Sequence, residues 1–153
     1  ARQSALLCLI WGGVVMSAGG VVYAVQGEWI AGWFTGPNAE STQKTTAALL
    51  RIVAIGMPPL AICMIGAGTL RGAGDTRWPL LTTLIGFCVV RLPLAIMLGW
   101  STNQATAGWD VFPFWGWGVV GAWYAMVIDL YVRSSLIAFR LLQGGWQRIR
   151  LHS

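Results

Sequence analysis

Residues 4–25 and 52–70 contain no charged side chain at all. At about 1.5 Å of rise per residue, roughly 20 helical residues cross the ~30 Å hydrocarbon core of a bilayer. Two further apolar runs, residues 79–99 and 117–139, carry only Arg91, Asp129 and Arg133 between them. Unpaired backbone N–H and C=O groups are costly in lipid, so a spanning segment closes its own hydrogen bonds as a helix. The four runs therefore predict an all-α membrane protein with four transmembrane helices. Composition agrees: 56% of the 153 residues are hydrophobic and 10% are charged, against about 25% charged in soluble domains. Membrane lipid is the expected surrounding of most side chains.

The net charge is +5, but the basic residues sit mainly at the ends of the apolar runs. That arrangement orients a membrane protein and does not make a nucleic-acid patch. With the loop at residues 71–78 placed in the cytoplasm, Arg2, Arg71, Arg77, Arg140, Arg148 and Arg150 share that side, while Lys44 lies outside and Arg51 at the outer edge. The expected location is thus a plasma or inner membrane, multi-pass, with the C-terminal tail (residues 140–153) basic and cytoplasmic. Trp29, Trp33, Trp100, Trp109, Trp115 and Trp117 then fall on the outer side, as interfacial anchors. The first residue is Ala1, no secretory leader pattern follows it, and the chain is expected to begin inside a longer protein.

Between the first two runs, residues 26–44 read as a connector containing Gly36-Pro37-Asn38, with residues 39–50 able to turn helical. Gly12, Gly13, Ser17, Ala18, Gly19 and Gly20 give the first span a stripe on which a neighbour packs closely. In the turn at residues 71–79, Asp75 or Thr76 is placed to cap the next helix, with Pro79 in its first turn. Gly72 and Gly74 do not make a nucleotide loop, because Arg77 stands where the third glycine belongs and no strand precedes them.

Chemistry is expected where lipid makes charge expensive. A charge at the bilayer centre costs about 2.5–3.5 kcal/mol or more, so such residues are paired, functional, or both. Asp129 and Arg133 are four apart and share a helical face; Arg91, on the preceding span, can join them. The three are candidates either for a structural ion pair or for a transport pathway. Pro58 and Pro59 remove two backbone donors inside the second span, predicting a kink or local unwinding and a candidate hinge. Cys8, Cys63 and Cys88 lack metal-binding spacing, and His152 is the single histidine. No cofactor or metal site and no enzymatic constellation is expected.

Residues 68–79, GTLRGAGDTRWP, resemble the loop that follows the fourth helix of a six-helix lobe in the MATE (multidrug and toxic compound extrusion) family. Residues 49–52 (LLRI) with Gly56 and Pro58 resemble the entry to that fourth helix, and residues 91–95 (RLPLA) resemble the fifth. Residues 118–133 (GVVGAWYAMVIDLYVR) resemble the last helix, and Gly145-Trp146-Gln147 is similar to the end of many members. The resemblance implies the last four helices of a twelve-helix, two-lobe antiporter. Such a protein exports drugs and small organic cations against sodium or protons, and the remaining helices of the same transporter would be the chain's partners. Some members carry a cation-binding carboxylate on the helix matching residues 52–70; this chain has none there, so the coupling-ion site is expected outside it. A lipid-linked oligosaccharide flippase and a self-contained four-helix exporter or assembly subunit are the alternatives.

Overall fold

The computed structural model describes residues 2–34, 40–99 and 116–144, and among these there is no strand. The elements are α1 (Arg2–Phe34), α2 (Glu40–Gly72), α3 (Arg77–Ile85), a π-helical turn (Gly86–Arg91), α4 (Leu92–Gly99) and α5 (Gly118–Gln143). The α3, π and α4 segments follow one another without a gap, as a single rod. Three helical stretches are long and apolar enough to cross a membrane, Gln3–Phe34, Glu40–Gly72 and Arg77–Gly99. The fourth apolar run lies within α5, whose middle carries Asp129 and Arg133.

The helices outrun the apolar runs. α1 continues nine residues past Val25 through Glu28 to Phe34, and α2 already begins at Glu40, so most of the expected connector is helical. The physical reason is that polarity marks where a helix leaves lipid, not where its backbone ladder stops. At ~1.5 Å per residue, the 33 residues of α1 or α2 reach well beyond a ~30 Å hydrocarbon core. Residues 35–39, 100–115 and 145–153 lie outside the described residues, and with them Trp100, Trp109, Trp115, Arg148 and Arg150 of the expected orientation.

α1 packs chiefly on α2; α2 packs on α5, and α5 also meets the π turn and α4. Small residues set the approach. A Cβ on Gly20 would stand 2.9 Å from the Ala54 carbonyl oxygen, so only glycine admits α2 this closely. Gly13 and Gly19 face open space, so the expected stripe contributes only part of itself to the α1–α2 contact.

The chain runs up and down. The Glu28 carboxylate of α1 meets Arg51 of α2 at 2.9 Å, which sets those helix ends side by side. At the opposite end, Asp75 in the α2–α3 turn pairs with Arg140 near the end of α5, also at 2.9 Å. Trp29, Trp33 and Trp117 therefore gather at one end, and Arg71, Arg77 and Arg140 at the other. Near that second end lies the apolar core of Ala67, Leu70 and Ile137, flanked by Trp78 and Leu141. Most other large apolar side chains of α1 and α3 face outward, among them Trp11, Val15, Leu80 and Leu84. That is the expected distribution when lipid or further helices are the surroundings.

Candidate functional site

The π turn originates in the sequence around it. In a regular α-helix the ring of Pro93 would press on the carbonyl of Val89, and Pro93 has no N–H to offer it. The wider turn ahead of Pro93 relieves that crowding, and the Leu92 N–H bonds to the Phe87 carbonyl, five residues back. Gly86 opens the turn and is buried against α5. A Cβ there would run into Asp129 Oδ1 and lie 2.6 Å from Arg133 Cδ. Gly86 is thus the gap through which the Asp129–Arg133 face of α5 reaches the neighbouring span.

Asp129 is completely buried. Its Oδ2 accepts a 2.6 Å hydrogen bond from Arg133 Nη2, as the four-residue spacing predicts. The pair is under-satisfied: Asp129 Oδ1 and Arg133 Nε are both buried without a hydrogen-bond partner. A buried carboxylate with a free acceptor beside a guanidinium with a free donor is a high-stakes arrangement in a low-dielectric interior. Arg91 closes the π turn at its far end. It does not join the ion pair; it lies over the Phe87 ring at 5.8 Å. It does share a cavity of about 240 Å³ with Arg133, walled by Val53, Met57, Met126 and Leu130. Arg133 also borders a second cavity of about 220 Å³ that extends toward Arg71. The structure therefore brings the three sequence candidates to one place, but only two of them into contact.

Pro58 and Pro59 lie inside α2, which stays helical through them; the local unwinding suggested by the sequence is not seen. Their missing N–H groups leave the carbonyls of Ala54 and Ile55 without the usual donor four residues on. α5 answers one of them: Tyr131 donates its hydroxyl to the Ile55 oxygen at 3.1 Å. The Ala54 oxygen is the one that Gly20 of α1 leaves room for. Thus one of the two freed carbonyls gains a donor from a neighbouring helix, and the helix persists.

Asp75 does not act as a helix cap. Thr76 takes the N-cap position of α3 without a side-chain bond, and the Asp75 carboxylate accepts from Arg140 Nε and Nη2 at 3.1 and 2.9 Å. Arg140 lies over Trp78 at 5.2 Å. The sequence offered only a weak signal for this latch, a lone acid within a basic loop. Among the described residues, no group of acids, cysteines or histidines is arranged to hold a metal ion.

Comparison with known proteins adds the following. A family model described as MatE matches residues 1–97. The chain is 30% identical over 142 residues to a "Probable multidrug resistance protein NorM" of Rhodopseudomonas palustris, covering 92% of this chain and 27% of that protein. It is 29% identical over 144 residues to a protein of the same description from Agrobacterium fabrum, covering 92% and 28%. A third, from Idiomarina loihiensis, is 28% identical over 152 residues, covering 99% and 30%. The chain thus spans under a third of the length of these curated relatives. No solved structure matches it.

Proposed function

The chain belongs to the MatE family, and on that premise we propose that it is the C-terminal, four-span part of a twelve-helix, two-lobed transporter. The whole protein is read as a secondary-active antiporter that exports drugs or small organic cations in exchange for sodium or protons. α1, α2, the α3–π–α4 rod and α5 are its last four spans. The protein lies in the plasma or inner membrane, with residues 71–78 and the C-terminus in the cytoplasm. The relatives named for multidrug resistance support the transport reading.

The observation that carries a transport role within this chain is the fully buried Asp129 with an unpartnered oxygen, set against a non-α turn of the neighbouring span. Ionisable residues inside a span are costly and recur in ion and substrate pathways, and π turns recur at functional sites. Pro58 and Pro59 make α2 the natural place to bend as access alternates, since two ladder bonds are already absent there.

Efflux of a fluorescent organic cation from proteoliposomes containing the full-length protein tests this reading. Sodium and proton gradients are imposed separately. Export driven by one of them is expected; no export under either gradient overturns the reading. Alone, the 153-residue chain is expected not to transport, because the second lobe of the cavity is missing.

A further inference from the structure

We propose that the cavity between α2, the π turn and α5 is a site for one carboxylate group on an apolar stem. It rests on charge arithmetic. Four acidic residues are described, and each is already engaged: Glu28 with Arg51, Glu40 with Lys44, Asp75 with Arg140, and Asp129 with Arg133. Arg91 has no carboxylate among the described residues; its contact is the face of Phe87. Arg91 and Arg133 both line the cavity, and the one carboxylate beside them is already held by Arg133.

The rest of the wall is apolar and adaptable: Val53, Met57, Met126 and Leu130. The Arg91 guanidinium, which has no carboxylate among the described residues, matches a carboxylate, which accepts paired N–H bonds in one plane. At about 240 Å³ the space falls below the ~300–1,000 Å³ of drug-sized sites. It therefore suits a small monocarboxylate or the acidic end of a larger molecule. The same chemistry has two sources, a free organic acid or an acidic side chain from the rest of the protein. The site deepens the transport reading and rests on it only in taking the free acid as a transported solute.

Benzoate is the probe, with benzylammonium as its cationic counterpart. Binding to the purified full-length protein is followed by calorimetry and by the thermal unfolding midpoint. The expected result is benzoate binding that weakens at least tenfold in Arg91→Gln, is partly kept in Arg91→Lys, and is unchanged in Arg51→Gln, whose exposed pair lies at the outer end of α2. Benzylammonium should not bind there. The second source has its own signature: no benzoate binding, a lowered midpoint in Arg91→Gln, and one acid elsewhere in the protein whose neutralisation cancels that loss. Benzoate binding of equal strength in the native protein and both Arg91 variants overturns the proposal, as does absence of binding without such a coupled acid. Cation export by the same preparation is scored separately, so failure of the transport reading leaves the carboxylate test intact, and the reverse.

Discussion

Asp129 and Arg133 depend on a residue with no side chain. Gly86 leaves the volume in which the carboxylate and the guanidinium stem lie, so Gly86→Ala is expected to lower stability by about 1–3 kcal/mol, the range for overfilling a packed interior. Thermal unfolding of the full-length variant in detergent reads this directly. Asp129→Asn keeps the shape but leaves Arg133 without its counter-charge. Loss of one member of a buried pair costs about 3–5 kcal/mol, and a drop in folding yield or in drug resistance of cells is expected. Unchanged expression and resistance would count against both roles given to the pair. The ion pair was legible in the sequence, because four residues along a helix is a fixed geometry. Gly86, Tyr131 and the latch at Asp75 were not legible, because they depend on how one helix is rotated against another. Arg91 was read as a third partner for the same reason: its span was right, but the turn that aims it was invisible.

Among the elements, the π turn is the one that the apolar pattern conceals. A single π turn behaves as one residue inserted into an α-helix, with the faces on either side kept in register. Deleting Val89 together with Pro93→Ala, which removes the ring that the wider turn accommodates, should therefore restore a regular helix while α3 and α4 keep their contacts with α5. Deleting Leu84, within regular helix, should swing everything after it through about a quarter turn, from 3.6 residues per turn. The expected outcome is near-normal folding with impaired export for the first deletion and failed folding for the second, read by size-exclusion profile and efflux. Equal behaviour of the two would show that the turn has no separate role. The apolar runs themselves were plain in the sequence, since uncharged lengths of that size leave few alternatives. Helix ends were not, and the paired prolines misled for an identifiable reason. Their effect on a backbone depends on who else can bond the freed carbonyl, and here the phenol of a distant tyrosine does.

For the molecule as a whole, orientation is the property that can be tested with least disturbance. Asp75 itself is a poor reporter, being buried and bound to Arg140. Thr76 is exposed beside it. In a protein with Cys8, Cys63 and Cys88 replaced, Thr76→Cys should resist an impermeant thiol reagent added outside intact cells and react in inverted vesicles. Labelling from outside would reverse the assigned topology. Fold class and family resemblance were readable at this scale because lipid imposes so few solutions on an apolar chain. The substrate was not, since it is decided by side chains facing cavities.

The ties between α2 and α5 also dictate where this bundle can give. Tyr131 fastens α5 to Ile55, and Arg140 fastens it to the turn just past Gly72, about 25 Å further along α2 at ~1.5 Å per residue. The lower limb of α2 is thereby riveted at both ends. The upper limb, residues 40–54, has no such fastening to α5; its bonds run to α1 instead, through Arg51 and Gln43 to Glu28. Flexing is then expected where the two sets of ties part, between Arg51 and Ile55 of α2, at the level where Gly20 of α1 packs against Ala54. The end that carries Trp29 and Trp117 would swing open while the end that carries Arg71 and Arg140 stays bolted shut.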